Sequence, residues 1–215
     1  MYGLGLRSEI MALVKLEIVQ AGNPVLRQHA RPLSITEIRS REIQKLIESM
    51  RTYMHEAPGV GLAAPQLGLP LQLAVIEDRE EYHKDVPEAL LLERERRPVP
   101  FHAIINPVLE IIGEEKAEFF EGCLSLSGFS ALVPRARIVR VTCLDERGQE
   151  KLIEASGWYA RILQHEIDHL HGSLYIDRMD SRSFMSIDNL GRHWKDQPVQ
   201  AVRQALAPAV ESGGS

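Results

Sequence analysis

Apolar residues recur at Ile35, Ile38, Ile43, Leu46, Ile47, Met50 and Met54, a spacing close to the helical repeat of about 3.6 residues. That pattern predicts a helix over 35–55, with Ser34 as its N-cap. The period then shortens. A β-rich run over 71–76 reads as a strand, and so do 103–112, 116–120, 136–144 and 149–155, the last three with partial alternation of apolar and polar positions. Asp145-Glu146-Arg147-Gly148 supplies a turn between two of these strands. A helical pattern returns over 156–171, where Gly172 is placed to cap the C-terminus. The most polar stretch, 77–100, carries Glu-Arg-Glu-Arg-Arg at 93–97 and predicts a solvated loop with at most one helical turn. Strands before and around one long helix predict an α+β domain, mostly antiparallel strands packed around that central helix, and not alternating βαβ units.

The chain has 215 residues, of which 44% are hydrophobic and 26% charged, the profile of a globular protein able to bury a core. Acidic residues outnumber basic ones, 30 against 25, so no face is expected to bind a nucleic-acid backbone. No apolar run approaches the roughly 20 residues that span a bilayer. Cys123 and Cys143 are too few for a disulfide framework and point to a reducing compartment. Residues 1–16 show neither a secretory apolar stretch nor an Arg- and Ser-rich transit pattern, which favours a bacterial cytoplasmic location over an organellar one. The expected organisation is one catalytic domain over 14–190, an N-terminal extension over 1–13 and a C-terminal extension over 191–215 with a disordered end.

Residues 165–169 read His-Glu-Ile-Asp-His. Four residues of helix turn through about 400° and rise about 6 Å, so His165 and His169 share a face and can grip one ion. Glu166 lies about 100° round from His165, near enough to reach a ligand of the metal without filling a coordination position. Shuffled chains of this composition show the pattern in roughly 3% of cases, so a third ligand has to decide. Asp177, Asp180 and His193 are the downstream candidates, as in a zinc peptidase. His171 points to the wrong side of the helix. Upstream, Cys123 follows the strand-like Phe119 and Phe120, and its thiolate makes a Cys/His/His site with a fourth position open. On its own Cys123 is more often a small buried hydrophobe, as Cys143 is read here.

Three segments resemble the peptide deformylase family. They are Gly-Val-Gly-Leu-Ala-Ala-Pro-Gln at 59–66, Glu-Gly-Cys-Leu-Ser at 121–125 and Gln-His-Glu-Ile-Asp-His-Leu at 164–170. The tract Ala-Ser-Gly-Trp-Tyr-Ala-Arg-Ile at 155–162 is similar to the organelle-type subgroup. Two departures stand out, Ser127 where many members have Pro and Ser130 where many bacterial members have Arg. The resemblance implies removal of the formyl group from N-formylmethionine at the start of new polypeptides, with release of formate. It implies a divalent metal held by Cys123, His165 and His169, with Fe(2+) favoured and Zn(2+), Ni(2+) or Co(2+) able to substitute. Glu166 would be the general acid–base, and Gln66 with the backbone N–H of Leu124 the oxyanion donors. Gly59, Gly61 and Gly122 would receive an extended substrate strand. Val60, Phe119, Trp158 and Ile162 would border the methionine pocket, with His165 at its floor. Glu121 joins this substrate-facing set and would pair with Arg135 to fix the loop bearing Cys123. Asp168 stays open between orienting a ligand and sitting on a solvated helix face. Implied partners are nascent formyl-Met chains near the ribosome exit, without nucleic acid or membrane, acting as a monomer or homodimer.

Overall fold

The computed structural model describes residues 17–57 and 59–207; the extension over 1–13 and the tail over 208–215 lie outside the described residues. The first predicted helix is two helices, α1 (Ile35–Ile38) and α2 (Arg41–Glu56). Each start is capped by a serine. Ser34 Oγ accepts from the Glu37 N–H while the Glu37 carboxylate accepts from the Ser34 N–H, and Ser40 Oγ accepts from the Ile43 N–H. Ile38, Ile43 and Leu46 enter the same core, so the apolar period runs across the break and conceals it.

The described strands form one sheet in which each neighbouring pair is antiparallel. Its path runs β1 (Gly61–Ala63), β2 (Leu73–Asp78), β3 (Val99–Gly122), β4 (Phe129–Leu144), β5 (Glu150–Ser156). The predicted strands over 103–112 and 116–120 are parts of β3, which pairs first with β2 and then with β4 and carries an irregularity between Ile112 and Lys116. Gly113 sits there at φ 75°, a conformation other residues avoid. β4 starts seven residues earlier than the pattern indicated, at Phe129 against 136, because Arg135 is buried and breaks the apolar signature.

Between β2 and β3, the stretch over 77–100 holds more than one helical turn. A 3-10 turn over Glu80–His83 is followed by α3 (Glu88–Glu93). Arg96 ties the stretch down by two 2.8 Å hydrogen bonds to the buried Asp78. After β5 comes α4 (Gly157–Leu170). β2 is buried on both faces and separates two cores. Leu73 and Val75 join Leu46 and Met50 of α2 on one side, while Ala74 and Ile76 join Leu163 and Ile167 of α4 on the other. Fully burying one such side chain contributes about 1.5–3 kcal/mol.

The last elements of the described residues are β6 (Met185–Ser186), paired to the start of β4, then α5 (Ile187–Asn189) and α6 (Val199–Leu206). α6 lies within the expected C-terminal extension, and it is held there by the buried Val202 and an Arg203–Glu118 ion pair. No helix of the described residues is long and apolar enough to cross a membrane.

Candidate metal centre

α4 starts at a fixed point. Gly157 has φ 58°, and a Cβ there would lie 2.4 Å from Glu95 Cβ and 2.7 Å from the Arg94 carbonyl oxygen. The Trp158 N–H donates to that carbonyl at 2.9 Å, so the return of the 77–100 stretch sets the first turn of the helix. Two turns on, the His165 and His169 rings meet edge to face, with centroids 4.9 Å apart. Cys123 follows directly on β3, and its Sγ lies 3.3 Å from His169 Nε2. One ligand atom from each of Cys123, His165 and His169 falls within 4.8 Å of the other two. Tetrahedral coordination by sulfur and nitrogen sets such atoms roughly 3.3–3.6 Å apart, so the trio suits one ion. Burial first, then the His165 charge, holds the His169 ring well below its usual pKa, and neutral imidazole is the form in which histidine can bind a metal.

Glu166 is buried beside this trio. A Cβ on Gly61 would come 2.1 Å from its Oε1, so the absent side chain of Gly61 makes room for the carboxylate. Among the described residues its Oε2 has no hydrogen-bond partner, and burial pushes its pKa up to about 7. Gln66 is oriented by the Ala63 N–H, which donates to its Oε1 at 2.9 Å and thereby turns its NH2 toward Cys123 Sγ at 3.5 Å and Ser125 Oγ at 3.4 Å.

A buried ionic network stands behind the candidate ligands. Glu121 accepts from Arg135 twice at 2.9 Å, from Arg161 at 2.6 Å and faces His165 Nδ1 at 3.0 Å. Burial alone would raise the Glu121 pKa, but the bonds from Arg135 and His165 outweigh it and hold it far below the usual carboxylate range. Arg161, buried near Arg135, is pulled down to about 10 despite Glu121. Asp168 is buried and accepts from Arg178 twice at 2.7 Å and from Arg135, which settles it as a member of the network and not a solvated position.

A cavity of about 570 Å³ opens over Cys123 and His165. Gly59, Val60, Gly61, Gln66, Gly122, Leu124, Trp158, Ile162 and Glu166 all line it. One placement differs from the expected cavity border. Phe119 does not line the cavity, because its ring is tucked edge-on behind Trp158, centroids 6.3 Å apart, with Arg161 over it at 5.2 Å. Glu121 lines the cavity as well, and its carboxylate is engaged by Arg135, Arg161 and His165. Arg161, Phe120 and Phe129 line the cavity and were missed. Apolar alternation could have nominated Phe120; nothing local marks a buried Arg161, since arginine is normally read as exposed. The peptidase-type ligands do not join the trio. Asp177 pairs with Arg27, Asp180 caps a turn through the Arg182 N–H, and His193 lies outside the ligand group.

Three clustered ligand groups, a buried carboxylate beside them and a cleft that opens onto them define the class: a candidate metal centre in an α+β fold. The family model of polypeptide deformylase matches residues 15–184. A chloroplastic peptide deformylase 1A of Solanum lycopersicum is 50% identical over 81% of this chain, and the chain spans 63% of that protein's length. Peptide deformylase 3 of Streptomyces avermitilis is 45% identical over 91% of the chain and 85% of its own length. A class I type b peptide deformylase from Acinetobacter baumannii, solved with Met-Ala-Ser bound, superposes with a TM-score of 0.68 at 30% identity, covering 77% of this chain and 99% of that one. The chain belongs to the polypeptide deformylase family.

Proposed function

We propose that this protein hydrolyses the formyl group from the N-terminal formylmethionine of newly made polypeptides and releases formate. The observation that carries the reading is Glu166, a buried carboxylate with an unpartnered oxygen placed beside Cys123, His165 and His169 at the floor of an apolar cleft. The catalytic unit is assigned to 14–190. Those three residues would hold one divalent ion, Fe(2+) by preference with Zn(2+), Ni(2+) or Co(2+) as substitutes. When bound, the ion supplies Lewis acidity that lowers the pKa of a water beside it.

The protein's own groups account for the remaining steps. The methionine side chain enters between Val60, Trp158 and Ile162, and the peptide backbone runs past Gly59, Gly61 and Gly122, where no Cβ blocks its approach. Glu166, with a pKa near 7, is poised to hold the proton of the attacking water on Oε2. Water adds to the formyl carbon, and the oxyanion that forms accepts from the Gln66 amide and the Leu124 N–H, each worth about 3 kcal/mol. Glu166 then delivers its proton to the amine as the C–N bond breaks. Substrates are nascent chains met near the ribosome exit. Relatives named for plastids and relatives from bacteria both align well, so the resemblance does not favour the bacterial cytoplasm over an organelle.

The test is Glu166→Ala, with metal content and formyl-Met-Ala-Ser turnover measured on one preparation. Metal should remain and turnover should fall at least about 100-fold, the usual contribution of a general acid–base. Retention of more than about a tenth of the activity would remove the role.

A further inference from the structure

A second cavity, of about 440 Å³, adjoins the first. The two share Phe120, Gly122 and Ile187 as a common wall. One outer side comes from the 77–100 stretch and the other from the chain after β6. Its floor is apolar, built by Leu90, Phe119, Phe120, Leu190 and Trp194. Arg94 lines the inner wall and is half-buried. Its guanidinium lies 5.6 Å from the Phe119 ring and 5.2 Å from the Trp158 ring. Among the described residues it forms no ion pair, and its Nε is buried without an acceptor. A guanidinium without a carboxylate partner on a cavity wall has its outer N–H groups to offer to a chain lying there.

The common wall also gives a route. Among the described residues, β3 over Phe120–Gly122 is paired only to β4, through Phe120↔Leu132 and Gly122↔Ser130, and its other edge carries no strand. Three extended residues span about 10 Å, and the first cavity is of the size that encloses a ligand of that kind. A longer chain following the open edge passes into the second cavity. There the exposed rim carries Asp85, Glu93 and Asp196 against Lys195.

We propose that the second cavity binds the fourth and later residues of the formylated polypeptide, with an apolar side chain on its floor and main-chain carbonyl oxygens accepting from Arg94. This rests on the deformylase reading. Carbonyl oxygens are offered by every sequence, so Arg94 would serve many nascent chains, while the acidic rim disfavours an acidic side chain at the same place.

The test compares kcat/KM of the metal-loaded protein for formyl-Met-Ala-Ser and for the same peptide extended by Leu or by Asp. Extension by Leu should raise kcat/KM about tenfold, the scale of a filled apolar pocket, and extension by Asp should not. Arg94→Met keeps an unbranched chain over Trp158 but removes the donors, and Trp194→Ala opens the opposite wall. Each should reduce the ratio of the Leu-extended to the tripeptide value toward one. A flat series in the wild type, or a gain that survives both variants, would overturn the assignment. No turnover of formyl-Met-Ala-Ser would instead overturn the deformylase reading, and the cavity assignment with it.

Discussion

Arg135 and Arg140 stand on the same strand, and each pairs with two carboxylates, yet their surroundings differ. Arg135 is inward, its side chain 3% exposed, and joins Glu121 and Asp168 behind the candidate ligands. Arg140 is outward, 41% exposed, and meets Glu110 at 3.2 Å and Glu154 at 2.9 Å. In water the outer trio gains little, because solvent screens its charges and its side chains lose freedom on pairing. Buried charges must each be matched, since one left alone has neither water nor partner. The inner network is therefore an ordering device that holds His165 and the end of β3 in place, and its contribution shows chiefly when one member is removed.

The largest effect that could break this contrast is Glu121→Ala. It leaves Arg135, Arg161 and His165 without their shared carboxylate, and should lower the unfolding free energy in urea by about 3–5 kcal/mol. Metal affinity should fall 10–100-fold or so, the usual consequence of losing the group that orients a ligand histidine. A loss under about 1 kcal/mol with unchanged metal affinity would erase the distinction between the two arginines.

Glu77 tests the middle of the range. It is 13% exposed and meets His55 and Arg51. Burial alone would raise its pKa, but the His55 hydrogen bond and the Arg51 charge lower it below 4.5. A depressed carboxylate stabilises above its unfolded value and loses that contribution as pH falls through the folded one. Glu77→Gln should thus cost about 1 kcal/mol at pH 7, and the difference from wild type should close in acid. A gap that widens in acid would reverse the sign and break the argument. The smallest expected effect is Arg140→Gln, which should leave the denaturation midpoint unchanged within error at ordinary salt. A clear shift there would show that the outer trio is more than a solvated decoration.

The same contrast explains what was legible in the sequence. His165 and His169 could be placed on one helix face because their spacing is local and the helix pattern around them is strong. The glycines and Gln66 of 59–66 could be nominated through family likeness, although β1 itself is too short to leave a periodic trace. Arg135, Arg161 and Asp168 could not be read as buried, since each is a charge whose partner lies 14 or more residues away or on another element. The 77–100 stretch looked solvated for a related reason. Its folding depends on Arg96 meeting Asp78 and on the Arg94 carbonyl meeting Trp158, contacts that no local pattern encodes. The split between α1 and α2 was hidden in the opposite way, by a period that continues across it.

Gly157 has a consequence for how this protein can change over generations. A methyl group there would strike Glu95 and the Arg94 carbonyl, and its backbone already sits where other residues are strained. The outer stretch and the helix bearing His165 are thereby inherited as a unit. A lineage that displaces Arg94–Glu95 must refit the helix start in the same step. An engineer moving the 77–100 stretch into a relative would have to carry the glycine along with it.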